Sequence, residues 1–211
     1  MTSEANGPAT GPTAYPISVR IDRDQRVNRL WGVPFLGIFV RWLVLIPHFV
    51  VLAMFGWAVV LLMLITWIPV LMTGRFPGWG YDLVGGYYRW WIRVTAYLLM
   101  MVGPYPPFST KPGYPVDVDF DRSTQLNHLW GIPLFGVLVR AFLVLPHAVV
   151  LWVIGIAVSL IVFFSWIPIL LFGRYPQLGY DVVGGYLRWS TRASCWVLMM
   201  AGPYPPFRLS D

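Results

Sequence analysis

Apolar and polar residues alternate strictly in two short segments that lie 99 residues apart in the chain. The apolar positions are Ile17, Val19 and Ile21 in the first segment and Val116, Val118 and Phe120 in the second. A period of two is typical of a half-buried β-strand. Because one isolated strand is not stable, we expect these two to pair with each other or with a neighbouring subunit. An open strand edge cannot be placed in lipid, so we expect both strands outside the bilayer, on its cytoplasmic side.

Each predicted strand is followed by a long apolar run, at residues 33–73 and again at residues 132–172. As one helix, either run would extend about 60 Å, twice the roughly 30 Å hydrocarbon core of a bilayer. Pro47 and Pro146 are the natural breaks, because proline removes a backbone donor and disfavours helix in the residue before it. In the first run the pattern predicts an interfacial or re-entrant helix over residues 28–46. A membrane-spanning helix is predicted over residues 47–72.

Glycine and proline punctuate a turn at residues 74–80, and a last helix is predicted over residues 81–102, ended by Gly103 and Pro104. This order of elements then recurs, because residues 15–108 reappear without a gap as residues 114–207. We therefore expect two tandem homologous membrane modules joined by a linker at 109–113. A disordered tail is expected at 1–14 and a short tail at 208–211.

Each predicted module contains a short cytoplasmic strand, an interfacial or re-entrant helix and two transmembrane helices, which makes four spans in total. With an even number of spans in each copy, both copies would insert in the same sense. The pseudo-two-fold axis would then run along the membrane normal.

The composition places this mainly α-helical chain in a membrane. Hydrophobic residues make up 57% of its 211 residues and charged residues only 11%, against about 25% charged in a soluble domain. The net charge of +6 does not indicate nucleic acid, since no basic cluster is interleaved with polar surface. Basic residues concentrate on the side of the termini and the linker, whereas the opposite turns carry only Arg75 and Arg174. The positive-inside rule therefore predicts cytoplasmic termini.

Charged residues inside the last helix of each copy need an explanation. At 100° per residue, Asp82, Gly86, Arg89 and Arg93 fall on one narrow stripe. An arginine at mid-bilayer costs at least about 2.5 to 3.5 kcal/mol, so the stripe should face protein or water. Asp82 is expected to pair with Arg89 or with Arg41 of the first helix.

Each copy then has two surplus positive charges, which could bind an anion such as a lipid phosphate. The alternative is that the arginines snorkel to headgroups and cap helix-end carbonyls. The candidate anion- or lipid-binding residues are Arg41, Arg89, Arg93, Arg140, Arg188 and Arg192, with Asp82 and Asp181 as their charge partners.

Other candidate chemistry is sparse. His48 and His147 each follow a helix-breaking proline and could ligate a metal, haem or pigment, but no further ligand stands at a suitable spacing, so no cofactor is expected. We expect each histidine to bind a carbonyl that the proline frees. Cys195 has alanine at the matching position of the first copy, which indicates a packing role. Catalytic motifs are missing, so the chain is not expected to be an enzyme.

Several short motifs carry a family resemblance. They are Ile-Pro-His at 46–48, Gly-Arg-Phe-Pro at 74–77, Gly-Gly-Tyr-Tyr-Arg-Trp at 85–90 and Tyr-Pro-Pro-Phe at 105–108, with close copies at 145–147 and 173–176. In this combination the chain resembles an uncharacterised bacterial membrane family known as domain of unknown function 4389. The resemblance implies a multi-pass protein of the bacterial cytoplasmic membrane and implies no activity.

Three functions remain open on the sequence. The first is a non-enzymatic accessory, structural or assembly subunit of a larger membrane complex, with other membrane subunits as partners. The second is a small transporter or channel with an arginine-lined path, since duplicated modules with intramembrane charge are common in transporters. The third is a membrane organiser that binds anionic lipid.

Overall fold

A computed structural model describes residues 15–23 and 25–210, so the tail predicted at 1–14 lies outside the described residues. The first copy contains strand β1 (Ile17–Ile21), a 3-10 helix (Arg29–Gly32), α1 (Leu36–Val44), α2 (Ile46–Thr73) and α3 (Gly78–Leu98). The second contains β2 (Val116–Phe120), a 3-10 helix (His128–Gly131), α4 (Phe135–Leu143), α5 (Leu145–Phe164), α6 (Trp166–Phe172) and α7 (Gln177–Val197). The chain is therefore mainly helical and built from two tandem copies.

The two strands pair with each other, as the alternation predicted. They form an antiparallel two-stranded ribbon in which Val19 lies opposite Val118 and Arg20 lies opposite Asp117. The ribbon's valines and isoleucines are buried and Phe120 is half-buried, whereas Ser18, Arg20 and Asp119 are exposed. Each strand packs on the last helix of the other copy, since β2 contacts α3 and β1 contacts α7.

The helix predicted over residues 28–46 is wrong in its extent. A 3-10 helix and the nine-residue α1 take its place, separated by a tight turn at Phe35. Phe35 has φ of 60°, and the N–H of Leu36 donates to the carbonyl of Pro34 at 2.6 Å, which is the hydrogen bond of a γ-turn. Leu134 has the same φ in the second copy. The proline before each of these residues removes a donor, so the chain turns here rather than continuing as helix.

The last helix of each copy begins earlier than predicted, at Gly78 and Gln177, and ends at Leu98 and Val197. Both helices are central. On α3, the stripe that carries Arg89 faces the ribbon, whereas Trp90, about 100° further round, faces α2. Buried side chains on the remaining face of α3 belong to the same hydrophobic core as buried side chains of α7.

The central helices of the two copies, α3 and α7, run in opposite directions. Tyr81, near the start of α3, donates its hydroxyl to the carbonyl of Met200, just beyond the end of α7. Tyr180, near the start of α7, donates to the carbonyl of Met101, just beyond the end of α3. Helices α3 and α7 are therefore antiparallel, like the strands above them. The pseudo-two-fold axis runs across the helices and not along them.

Among the described residues, two helical stretches are long and apolar enough to cross a membrane: Ile46–Thr73, which is α2, and Leu145–Phe172, which comprises α5 and α6. The prediction of four spans is thus not supported. Helices α3 and α7 fall short because each carries one aspartate and two arginines among less apolar residues. Both also bury much of their surface inside the protein. By contrast, only 17% of the most apolar window of α2 is buried.

Candidate functional site

Arg41 and Arg140 are fully buried and cap the ends of the central helices. The Nη1 atom of Arg41 donates to the carbonyl oxygens of Tyr97 and Val102, at the end of α3. Its guanidinium carbon lies 5.0 Å from the ring centroid of Trp31 and 4.2 Å from that of Tyr97. The second copy repeats this arrangement: Arg140 donates to Trp196 and Ala201 and lies between the rings of Trp130 and Trp196.

This geometry matches the alternative in which these arginines cap helix-end carbonyls. The last carbonyls of a helix have no partner within the helix, and a cation is favoured beside them by the helix dipole. Two aromatic faces cover the rest of each guanidinium, which is a cation–π arrangement. Burial lowers the pKa of Arg41 to about 10, which leaves the group protonated at neutral pH. Neither guanidinium is paired with Asp82 or Asp181.

Arg89 and Arg93 converge on one buried carboxylate. Nε of Arg89 lies 2.7 Å from Oδ1 of Asp117, and Nη2 of Arg93 lies 3.1 Å from Oδ2 of the same residue. The side chains of Asp117 and Arg93 are each 1% exposed and that of Arg89 is 19% exposed. Remaining guanidinium nitrogens donate to main-chain oxygens, including those of Ser109 and Thr110. The cluster joins the middle of α3 to strand β2.

Asp117 is the residue that sequence reasoning missed. Strict alternation places it on the polar side of the strand, yet it is fully buried because the edge of β2 lies along α3, and Arg89 and Arg93 bind its carboxylate there. The available signal was a difference between the copies: the position matching Asp117 in the first copy is Ser18. Without the strand-to-helix packing, that difference did not point to the arginines.

The arginines of the second copy meet the first strand and the end of the chain. Nε of Arg188 donates to the carbonyl of Val19, and Nη1 of Arg192 donates to that of Ser210. The two copies therefore differ here, since Ser18 stands on β1 where β2 carries Asp117. Main-chain oxygens accept hydrogen bonds in both clusters, and in the first cluster the buried carboxylate of Asp117 joins them.

The prediction that Asp82 pairs with Arg89 or Arg41 is wrong. Asp82 lies 2.6 Å from Arg122, and Asp181 lies 2.8 Å from Arg23. The four side chains are 48% to 65% exposed, so these are surface ion pairs of the kind that contribute little stability. Both aspartates lie near the starts of their helices, where solvent reaches them.

His48 and His147 are enclosed by aromatic rings. Nδ1 of His48 accepts a hydrogen bond from Nε1 of Trp90 at 2.9 Å, and its ring stacks on Phe108 at 3.8 Å. His147 accepts from Trp189 at 2.8 Å and stacks on Phe207. The partner is thus an indole and not the carbonyl that we expected. Nε2 of each ring is buried without a hydrogen-bond partner in the described part of the chain.

The glycine pairs Gly85-Gly86 and Gly184-Gly185 allow the ribbon and the coil segments beside it to approach α3 and α7 closely. A Cβ on Gly85 would lie 3.0 Å from the ring of Phe120, and one on Gly185 would lie 2.6 Å from Cβ of Leu209. These glycines therefore serve strand-to-helix and coil-to-helix contacts in addition to any approach between helices. Cys195 is fully buried, as a packing residue should be. The described residues contain no group of three or more potential metal ligands among His, Cys, Asp and Glu.

Comparison with known proteins identifies one family. A family model described as "Domain of unknown function (DUF4389)" matches residues 36–110 and 136–208, which is well over half of the chain. Each matched stretch runs from the start of α1 or α4 to beyond the Tyr-Pro-Pro-Phe motif and leaves out the strands. No curated protein and no solved structure matches the chain.

Proposed function

The chain belongs to the DUF4389 family, with two tandem copies, and on that premise we propose that it is a non-enzymatic membrane protein serving as an accessory subunit of a larger membrane complex. The observation that carries the membrane part of this proposal is the apolar surface of α2 and of α5 with α6. On α2, Met54, Trp57 and Leu61 are each more than 60% exposed. Monomeric soluble proteins rarely expose contiguous apolar patches larger than a few hundred Å².

The same helices carry no charged residue over their whole length. Helix α2 buries one narrow row of side chains, including His48, Leu52, Val59, Thr66 and Val70, and exposes apolar residues on its other sides. A helix that is apolar on every exposed side suits a surrounding of hydrocarbon and does not suit water. The localisation that we propose is the bacterial cytoplasmic membrane, with the strands and both chain ends on the cytoplasmic side.

The accessory role is supported by how the polar groups are used. Buried charges make internal contacts: Arg41 and Arg140 cap helix ends, and Arg93 binds Asp117. Such contacts join the elements of the protein to one another, and the exposed face of the ribbon offers a polar surface to a partner. That face differs between the copies, with Ser18 and Arg20 on one strand and Asp119 on the other.

The alternatives draw weaker support. An arginine-lined transport path would need Arg89 and Arg93 to face water, whereas Arg93 is 1% exposed and lies between α3 and the ribbon. Binding of anionic lipid by the six candidate arginines stays a prediction. The exposed basic residues at the molecule's ends, such as Arg75 and Arg174, are better placed to meet headgroups than the buried ones.

Two measurements test the proposal. Alkaline carbonate extraction of native membranes should leave the protein in the pellet, and release into the supernatant would contradict membrane integration. Affinity purification in a mild detergent should then recover other membrane proteins in fixed stoichiometry. A matched variant with ribbon changes Arg20→Glu and Asp119→Lys should lose these partners and keep its membrane integration. Recovery of the chain alone from wild-type membranes would count against the accessory role.

A further inference from the structure

We infer that the apolar helices lie in the plane of the membrane, embedded from one side, and that the chain does not cross the bilayer. The surface concerned consists of the exposed sides of α1, α2, α4, α5 and α6, which we call the apolar face. Its occupant is one leaflet of a lipid bilayer. This inference rests on the membrane localisation proposed above and adds the orientation.

The position of the ribbon relative to α3 and α7 supports an orientation in the membrane plane. Asp117 of β2 contacts Arg89 and Arg93, which lie in the middle of α3, and Arg188 in the middle of α7 contacts Val19 of β1. The ribbon therefore lies alongside the central helices at half their length. It does not lie beyond either end of them.

The exposed surface of the ribbon needs water. Ser18, Arg20 and Asp119 are exposed on it. If α3 and α7 stood upright in the bilayer, this surface would lie at mid-bilayer. A charged side chain there costs at least about 2.5 to 3.5 kcal/mol, and the surface carries two of them, Arg20 and Asp119.

The connections between the elements also favour an orientation in the membrane plane. Helix α2 is joined to α3 by a short turn, and α3 is antiparallel to α7, so Arg75 at the end of α2 and Arg174 at the end of α6 lie at opposite ends of the molecule. The segment from the end of α3 to the second 3-10 helix runs from one end to the other along the ribbon. An upright molecule would place the exposed Lys111 of this segment inside the hydrocarbon, because the neighbouring Thr110 accepts a hydrogen bond from Arg89 in the middle of α3.

A molecule lying flat avoids every one of these costs. The ribbon and α2 lie on different faces of α3, because Arg89 points to the ribbon and Trp90 to α2. The apolar face can therefore enter a leaflet while the ribbon stays in water. Both Arg75 and Arg174 then lie at headgroup level on one side of the membrane, in keeping with the positive-inside rule.

The tryptophans of the apolar face fit this orientation. Trp57 is 70% exposed near the middle of α2, and Trp152 is 72% exposed on α5. Exposed tryptophan prefers the interface between hydrocarbon and headgroups. An upright α2 would put Trp57 in mid-bilayer, whereas in a helix lying in the plane every position along the axis is at a similar depth.

The test uses single cysteines and a membrane-impermeant thiol reagent. The background variant is Cys195→Ala, which copies the alanine at the matching position of the first copy and removes the single, fully buried cysteine. Into it we would introduce Arg75→Cys, Arg174→Cys, Asp119→Cys or Trp57→Cys, one at a time. Each is labelled in spheroplasts and in inside-out vesicles, with detergent-solubilised protein giving full labelling.

The expected result is that the first three cysteines are labelled in inside-out vesicles and lose labelling in spheroplasts. Trp57→Cys should be labelled only after solubilisation. Labelling of Arg75→Cys and Arg174→Cys from opposite sides would overturn the inference and indicate spanning helices. Labelling of Trp57→Cys in intact vesicles would also overturn it, because the apolar face would then meet water or a removable partner.

Carbonate extraction of the same vesicles distinguishes a failure of the proposed membrane localisation from a failure of the flat orientation. A protein that stays in the pellet but labels from both sides keeps its proposed membrane localisation and loses the flat orientation. A protein that is released into the supernatant loses both.

Discussion

The hydroxyl of Tyr81 donates to the carbonyl of Met200 at 2.8 Å, and this contact ties the start of α3 to the end of α7. Its counterpart joins Tyr180 to Met101 at the same distance. Each tyrosine thereby satisfies a main-chain oxygen beyond a helix end, where no intrahelical donor remains. The pair of contacts fixes the antiparallel relation of the two copies.

Replacing both tyrosines with phenylalanine should lower the free energy of unfolding. Each of Tyr81→Phe and Tyr180→Phe removes one hydrogen bond and leaves a buried carbonyl without its donor, at a cost of about 1 kcal/mol each. Thermal unfolding in detergent, followed by circular dichroism, measures the change. Tyr105→Phe is the control, because its more exposed hydroxyl can exchange its partner for water. If Tyr105→Phe lowered the free energy of unfolding as much as Tyr81→Phe or Tyr180→Phe, the role assigned to the two buried hydrogen bonds would be contradicted.

Asp117→Asn should be strongly destabilising. It removes the carboxylate shared by Arg89 and Arg93, and breaking a buried ion pair by removing one partner costs about 3 to 5 kcal/mol. Because Arg89 is partly exposed, water can solvate its guanidinium once the carboxylate is lost, so we expect a cost at the lower end of that range. The control is Asp119→Asn in the same strand, which is exposed and should change the unfolding free energy by less than about 0.5 kcal/mol.

Arg41→Lys should destabilise the protein although it keeps the charge. A lysine cannot place a planar group between Trp31 and Tyr97 while donating to the carbonyls of Tyr97 and Val102. The loss of a desolvated cation–π contact alone is worth about 2 kcal/mol. The exposed Arg75→Lys is the matched control. A thermal midpoint unchanged in Arg41→Lys would show that the charge suffices and that the flat guanidinium is dispensable.

Gly32→Ala should disrupt the contact between the first 3-10 helix and α6. A Cβ at Gly32 would lie 2.3 Å from the main-chain nitrogen of Leu170, and one at Gly131 would lie 2.2 Å from that of Leu71. A main chain inside a helix cannot move aside like a flexible side chain, so we expect a loss of at least about 1 to 3 kcal/mol. Gly78→Ala meets nothing within 4 Å and should be neutral or stabilising. Comparable thermal midpoints for Gly32→Ala and Gly78→Ala would contradict this packing.

Local patterns were enough to predict much of the candidate site. Alternation found both strands, and the helical stripe placed Arg89 and Arg93 on one face that had to meet protein or water. That stripe does meet protein, in the form of the ribbon. The sequence predicts Asp82 as the partner of these arginines because it lies on the same helix. The carboxylate that binds them is instead that of Asp117, on a strand more than twenty residues further along the chain. Such a contact depends on which elements pack together, and no periodicity records that choice.

The sequence by itself determined the duplication, the two strands, the apolar helices and the breaks beside Pro47 and Pro146, because each of these follows from local spacing and backbone chemistry. Only the tertiary structure decided that the copies run antiparallel. A repeated sequence is equally consistent with either relation, since both copies have the same internal contacts in each case. The choice is made by contacts between the copies, such as Tyr81 with Met200 and Arg89 with Asp117. Those contacts place the polar ribbon beside the middle of the helices.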